Sequence, residues 1–214
     1  HHFYPAAQEW TSHDFTVIQE IPKTAQYKAV LCALPKQKEA GFYMLALGLQ
    51  HLEEKGLLVV MAPNDAGGKR LEKWFAEFGL SPMAASKSKC RIVWAQKQDI
   101  NQAKIEHDIA TGAPQVKLIE GQKFVTQAGI FGWDKIDTGS KLLTQHIPEK
   151  LSGAGADFGC GYGYLSYYVL SKPHKIKKLS VIDADYNALH CCTQNLDGFD
   201  GVEITPEWVD LTAK

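Results

Sequence analysis

The chain of 214 residues lacks three features that would each point to a class of protein. It has no stretch of about eighteen consecutive apolar residues, so no membrane-spanning helix is predicted. Its five cysteines include no Cys-x-x-Cys pair, so their spacing indicates neither a zinc site nor a disulfide framework. Its formal net charge is −1, which gives no overall attraction to a polyanion. We therefore expect reduced thiols, no bound metal and no contact with a membrane.

The N-terminus, His-His-Phe-Tyr-Pro, has neither the charged segment nor the apolar segment of a secretory signal, which predicts a cytoplasmic protein. A hydrophobic content of 45% is ordinary for a soluble globular chain. With so little net charge, any surface for nucleic acid must be local. Basic residues cluster at Lys87 to Arg91 and at Lys172 to Lys178, and each cluster is either a solvated face or a contact for RNA.

The first part of the chain alternates between apolar runs and amphipathic segments. Their patterns predict the strands Tyr27–Leu34, Leu57–Met61 and Cys90–Ala95, and the helices Glu39–Leu52 and Leu71–Phe78. This order is typical of an α/β layer on a mainly parallel sheet. We predict a first lobe over residues 1–98, a linker over residues 99–122 and a second lobe over residues 123–214.

A glycine-rich segment in the second lobe carries the strongest functional signal. It reads Asp157-Phe-Gly-Cys-Gly-Tyr-Gly and is followed, about twenty residues after its last glycine, by the apolar run that ends in Asp183. Glycines in a turn between a strand and a helix let a ligand approach the main chain. An acid at the end of the next strand can accept both hydroxyls of a ribose. The pairing predicts a nucleotide-like ligand.

The spacing of the glycines discriminates between nucleotide ligands. The dinucleotide motif Gly-x-Gly-x-x-Gly would need its third glycine at Tyr164 or at Ser166, so neither register completes it. Asp157 would also repel a pyrophosphate and would suit a cationic, amine-bearing ligand. Two alternatives stay open from the residues alone: a nicotinamide dinucleotide, and a tight turn whose glycines serve packing only.

The glycine loop and the acid after the next strand resemble the S-adenosylmethionine site of class I methyltransferases. Together with the segment Phe131 to Leu143, they are similar to the methyltransferase small domain of two-lobed bacterial ribosomal RNA guanine-N2 methyltransferases. The resemblance implies a Rossmann-like class I methyltransferase sheet, preceded by a degenerate methyltransferase-like α/β lobe. In that lobe, Ala33 to Lys36 stand where an active member would carry its catalytic tetrapeptide.

The resemblance also implies roles for individual residues. Gly159, Gly161 and Gly163 would lie beneath the methionine and ribose of S-adenosylmethionine, with Asp157 near the ligand amine and Asp183 on the ribose hydroxyls. Asp210 would meet the adenine amine. The cofactor-binding set implied by the family is Phe131, Asp137, Asp157, Gly159, Cys160, Gly161, Gly163, Asp183, Ala184 and Asp210.

The expected function is methylation of a guanine N2 in ribosomal RNA. The family's Asn-Pro-Pro-Phe tetrapeptide, which holds the target amine, should follow Asp210 by a few tens of residues, whereas the sequence stops at Lys214. No catalytic residue is therefore assigned, and we expect the chain to be a fragment of a longer enzyme. The alternatives are a catalytically inactive module that binds cofactor or RNA, and a methyltransferase that acts on a protein or a small molecule.

Overall fold

The computed structural model describes residues 2–148 and 150–212, which form two compact units. One unit spans Ile21–Ala113; the other combines the residues up to Glu20 with those from Pro114 onward. The described strands are β1 Tyr27–Ala33, β2 Leu52–Pro63, β3 Met83–Lys87, β4 Cys90–Gln96, β5 Gln115–Ile119, β6 Gln122–Thr126, β7 Ser152–Phe158, β8 Lys175–Asp183 and β9 Glu203–Trp208. The described α-helices are α1 Tyr4–Ser12, α2 Lys38–Gln50, α3 Leu71–Glu77, α4 Gln102–Gly112, α5 Thr138–Thr144, α6 Tyr164–Leu170 and α7 Tyr186–Leu196.

The boundaries of these two units differ from those of the predicted lobes. Helix α4 lies in the segment that the sequence predicts as a linker, but it packs along α2 and belongs to the unit Ile21–Ala113. Helix α1 lies at the start of the predicted first lobe, but it belongs to the unit that contains the glycine loop. Both differences arise from contacts that are remote in sequence, which local periodicity does not reveal.

The sheet of the unit Ile21–Ala113 has the strand order β1-β2-β4-β3. Only β1 and β2 run parallel, while β4 is antiparallel to both β2 and β3. The prediction of a mainly parallel sheet is therefore wrong for this unit. The cause is the two-residue turn Ser88-Lys89 between β3 and β4, whose φ angles of 51° and 62° are those of a tight hairpin. The hairpin reverses the chain, so β4 runs antiparallel to β3 and also to β2.

The core of this unit lies on one face of the sheet. Buried side chains of α2, α3 and α4 pack there against alternate residues of the strands: Leu45, Leu49, Phe75, Ile105, Leu58, Val60 and Val93. This alternation is the period of two that a strand imposes. The opposite face carries exposed apolar side chains, among them Leu31, Met61 and Met83.

The other unit contains the parallel sheet β7-β8-β9 and the antiparallel hairpin β5-β6. Helix α6 connects β7 to β8 and helix α7 connects β8 to β9, so the carboxyl ends of the three strands lie at one edge. Strand β8 is central and contributes the buried residues Leu179, Val181 and Ile182. This unit confirms the predicted Rossmann-like architecture. In neither described range is a helix both long enough and apolar enough to cross a bilayer.

Substituting Gly112 tests the packing of α4 on α2. A Cβ added at Gly112 would overlap with the Cβ and ring of Tyr43, so Gly112→Ala should force the helices apart. We expect a loss of about 1 to 3 kcal/mol in the free energy of unfolding, measured by denaturant titration. Gly198→Ala is the control, because an added Cβ there meets nothing within 4 Å. Equal stability of the two variants would contradict the close packing.

Candidate functional site

The glycine loop connects β7 to α6 and is held against β8 by backbone hydrogen bonds. The N–H groups of Gly159 and Cys160 donate to the carbonyl of Ile182 at 2.8 and 3.0 Å. The N–H of Gly163 donates to the carbonyl of Cys160 at 2.9 Å, which closes the turn before α6 begins. The loop therefore lies at the carboxyl edge of the parallel sheet, where ligands of open α/β sheets bind.

The three glycines differ in what surrounds them. All three have positive φ, namely 74° at Gly159, 55° at Gly161 and 89° at Gly163. A Cβ added at Gly159 or Gly161 would meet nothing within 4 Å, so the backbone at these two positions faces open space. A Cβ at Gly163 would lie 2.8 Å from Sγ of Cys192 on α7. The first two glycines thus leave room for a ligand, whereas Gly163 allows α7 to pack closely.

Asp183 ends β8 and links the loop to the strand. One carboxylate oxygen accepts the N–H of Gly161 at 2.9 Å and the other accepts the N–H of Asp185 at 2.8 Å. Because an ionised carboxylate has about four acceptor positions, these two bonds orient the group and leave acceptor capacity for hydroxyls. Asp183 is half-buried at the same edge as the glycine loop.

Asp157 lies near the end of β7 and accepts the hydroxyl of Ser166 at 2.6 Å. Burial raises the pKa of Asp157 above its ordinary value, and the Ser166 hydroxyl offsets part of that rise. The charge of Asp183 raises the pKa of Asp157 further. Burial likewise raises the pKa of Asp185, and Asp183 adds to that effect. This edge of the sheet therefore concentrates negative charge, which favours a cationic ligand.

Ala184 and Asp210 lie beyond the ends of β8 and β9. The carbonyl of Ala184 accepts the Nε1–H of Trp208 at 2.9 Å and the N–H of Tyr4 at 2.8 Å. One oxygen of Asp210 accepts the N–H and the hydroxyl of Thr212 at 2.8 and 2.7 Å. The N–H of Val209 donates to the carbonyl of Asp183 at 3.2 Å, which brings the end of β9 beside the strand-end acid.

The start of the chain contributes to this edge, which the sequence did not predict. Phe3 forms a β-bridge with Asp185, and the N–H of Tyr186 donates to the carbonyl of His2 at 2.6 Å. The ring of Tyr4 packs edge-on against Trp208 with centroids 5.2 Å apart. The signal for this contact is weak in the sequence, because it joins residues about 180 positions apart.

The other predicted residues occupy supporting positions. Asp137, which the resemblance assigns to the cofactor-binding set, is the N-cap of α5, and its carboxylate accepts the N–H of Ser140 at 3.0 Å. Phe131 is 77% exposed in the turn between β6 and α5. The preceding residue, Ile130, packs in one cluster with Tyr162 of the glycine loop. The structure therefore joins this turn to the loop through Ile130 and leaves the ring of Phe131 in solvent.

Cys160 points into the protein. It is 6% exposed and packs with Cys192, and its thiol donates to the carbonyl of Gly161 at 3.6 Å; the neighbouring Cys192 thiol, together with burial, raises the pKa of Cys160. A thiol with a raised pKa is a poor nucleophile at neutral pH. The side chain of Cys160 therefore serves the core rather than chemistry.

Asn195 is a further residue that sequence reasoning missed. Its amide group donates to the carbonyls of Val125 and Tyr162, both at 2.8 Å, and accepts the N–H of Val125 at 2.6 Å. One side chain on α7 thus connects β6 to the glycine loop. An isolated Asn in a helical pattern carries no sequence signal for such a role.

Comparison with known families agrees with this geometry. The sequence model described as "Methyltransferase small domain" matches residues 121–214, and the one described as "Methyltransferase small domain N-terminal" matches residues 1–110. The chain belongs to the methyltransferase small domain family. The family predicted from the glycine loop is confirmed.

Relatives of known name are similar over most of the chain. A ribosomal RNA small subunit methyltransferase C from Psychromonas ingrahamii is 31% identical over 173 residues, which are 80% of this chain and 48% of the relative. The protein of the same name from Shewanella halifaxensis is 27% identical over 184 residues, which are 85% of this chain and 53% of the relative. The chain spans about half the length of the curated relatives it matches.

A solved structure shares the fold. It is that of a 16S rRNA guanine-N2 methyltransferase from T. thermophilus in complex with AdoMet and guanosine. The TM-score is 0.77 at 18% identity, and the match covers 97% of this chain and 58% of the other. The class I methyltransferase architecture is therefore shown for this chain.

Alanine at Gly163 should destabilise the fold more than alanine at Gly161. Both substitutions place a side chain at positive φ, which costs about 1 to 2 kcal/mol. Only Gly163→Ala also brings a Cβ against Cys192, and overpacking adds about 1 to 3 kcal/mol. Thermal and denaturant unfolding of the two variants measure the difference. The double variant Gly163→Ala/Cys192→Ala should show a compensating coupling, and purely additive losses would contradict the clash.

Proposed function

We propose that the carboxyl edge of the sheet β7-β8-β9 binds S-adenosylmethionine, as part of an enzyme that methylates the exocyclic N2 of a guanine in 16S ribosomal RNA. The observation that carries the proposal is the bond from the N–H of Gly161 to the carboxylate of Asp183. It holds an open glycine backbone and a ribose acceptor side by side.

The described residues fit this cofactor. The space where a Cβ would stand at Gly159 and Gly161 is open, so a ligand can lie directly on the main chain. Asp183 would accept the ribose hydroxyls with the acceptor positions that Gly161 and Asp185 leave free. Ala184 and Asp210 follow the ends of β8 and β9, and the family resemblance assigns Asp210 to the adenine amine.

The charge at this edge supports S-adenosylmethionine over a dinucleotide. S-adenosylmethionine carries a sulfonium and an α-amino group, both positive, whereas a dinucleotide would bring a pyrophosphate. Asp157, Asp183 and Asp185 lie close enough that Asp183 raises the pKa of the other two. Such an environment attracts the cation and repels the anion.

Bound S-adenosylmethionine supplies a methyl group that its sulfonium already activates for displacement. The protein therefore contributes position rather than activation. Asp183 and the glycine backbone would fix the nucleoside, and Asp157 would fix the amino acid end. With both ends held, the methyl group would face one side of the site, where a guanine amine could approach along the bond to sulfur.

The RNA substrate is supported by the relatives. The curated proteins carry the name ribosomal RNA small subunit methyltransferase C, and the structural neighbour is a guanine-N2 methyltransferase in complex with AdoMet and guanosine. We infer the same substrate class for the enzyme that contains this chain, acting in the cytoplasm. Cofactor binding is the part of the reaction that the described residues account for.

Replacing Asp183 tests the assignment of the cofactor site. Asp183→Ala removes a charged acceptor of two hydroxyls, and hydrogen bonds to charged groups contribute about 1.5 to 3 kcal/mol. We expect the Kd for S-adenosylmethionine, measured by calorimetry, to rise about tenfold to a hundredfold. Asp197→Asn is the control, because this exposed acid lies at the far end of α7.

The same titrations separate the alternatives. Circular dichroism confirms that each variant is folded, since Asp183→Ala also leaves two N–H groups without their acceptor. An unchanged Kd in a folded variant would contradict the role of Asp183. Tighter binding of NADH than of S-adenosylmethionine to the unaltered protein would replace the proposal with a dinucleotide site.

The contact between Asp157 and the ligand amine predicts a pH dependence. Burial raises the pKa of Asp157, so a growing fraction of this group is neutral as pH falls toward that value. A cationic amine stabilises the ionised form, so affinity should decrease as the pH is lowered toward the pKa of Asp157, a range in which the ligand amine stays protonated. Binding should release protons in this window, which calorimetry in buffers of different ionisation enthalpy detects. Asp157→Asn should bind more weakly and lose this dependence; an identical pH profile would exclude the contact.

A further inference from the structure

A cavity lies at the opposite end of the parallel sheet from the glycine loop. Its volume is about 410 Å³, which is within the range of small-ligand sites. It is formed by the end of α5, the segment between α5 and β7, the second half of α6 and the loop between α6 and β8: Thr144, Gln145, Ile147, Pro148, Lys150, Leu151, Tyr168, Val169, Lys172, Pro173 and His174. The N–H of Lys175 donates to the carbonyl of Leu151 at 2.7 Å and joins the two segments.

The charge around this cavity is positive. Lys150 and Lys172 line it, and the exposed Lys175 and Lys177 continue from its rim along β8. None of these four lysines forms a salt bridge within the part of the chain that the structure describes, and the described lining residues include no acid. The acid next in sequence, Glu149, lies outside the described residues.

Two further side chains give the cavity the character of a nucleotide site. Nδ1 of His174 accepts the N–H of Ile176 at 3.1 Å, so the proton of the neutral ring lies on Nε2, which is a donor. Nζ of Lys172 lies over the ring of Tyr168, 4.7 Å from its centroid. An aromatic ring beside cationic donors is the combination that binds single-stranded nucleic acid through its bases and phosphates.

We propose that this basic cavity binds the phosphodiester backbone of a single-stranded RNA segment. A phosphate would lie in the cavity, where Lys150, Lys172 and the Nε2–H of His174 supply donors. Lys175 and Lys177 would contact the neighbouring phosphates. Tyr168 would offer its ring to an adjacent base when Lys172 turns to the phosphate.

The cavity is separate from the proposed methyl-transfer site. It adjoins Ser152, the first residue of β7, whereas the glycine loop follows the last residue, and a strand of seven residues spans about 20 Å. RNA held here would be anchored several nucleotides from the reacting base. The inference rests on the proposed function for its choice of RNA, but it assigns a second surface that the cofactor site does not include.

Fluorescence anisotropy with a labelled single-stranded RNA of mixed sequence tests the proposal. The double variant Lys150→Gln/Lys172→Gln should bind about tenfold or more weakly at low salt than the unaltered chain. Each phosphate contact on a single strand contributes about 0.7 to the slope of log affinity against log salt. The slope should therefore become shallower by about 1.4.

The matched control is Lys28→Gln/Lys123→Gln, which makes the same change in net charge at exposed positions outside the cavity and outside the basic cluster Lys172 to Lys178. It should bind RNA nearly as well as the unaltered chain. A Kd for S-adenosylmethionine measured on every variant reports on the other site and on folding, so failure of the proposed function would be seen separately. Equal losses in both double variants, an unchanged salt slope, or no RNA binding by the unaltered chain would each overturn the proposal.

Discussion

The geometry of the candidate site depends on the hydrogen bond between the N–H of Gly161 and the carboxylate of Asp183. This bond joins two segments that are consecutive strand ends in a parallel sheet and are separated in sequence by helix α6. It fixes the position of the glycine backbone relative to the sheet, and it also orients the carboxylate of Asp183. Without this acceptor, the half-buried N–H of Gly161 would need another partner, and without the loop the carboxylate of Asp183 would be held only by the N–H of Asp185.

Packing behind the loop makes that bond possible. Gly163 lets α7 approach closely enough for Cys192 to reach the loop, and Asn195 on the same helix holds β6 to the carbonyl of Tyr162. The backbone at Gly159 and Gly161 faces open space, whereas side chains of α7 pack against the other side of the loop. The same short segment therefore combines a glycine that serves the fold with glycines that leave space for a ligand.

Much of this site could be predicted from the sequence, since its parts are local. The apolar run before Asp183 and the glycines after Asp157 each depend on neighbours a few residues away. The hairpin at Ser88-Lys89 was missed because these residues are unusual in a tight turn that requires two positive φ angles. Its consequence was large, since it made the first sheet mostly antiparallel. The sequence predicts a linker where α4 lies, because the packing of α4 against α2, which makes it part of the unit Ile21–Ala113, is a contact between segments that are distant in sequence.

The sequence by itself determined the family, the loop and the acid that stands after the next strand, because spacing along the chain carries each of them. Only the tertiary structure decided which glycines face open space, that the first residues of the chain join the edge near Ala184, and that Lys150 and Lys172 share one cavity. These features depend on distances between segments that the chain brings together only when it folds. A linear pattern records which side chains are available, whereas the folded backbone decides which of them meet.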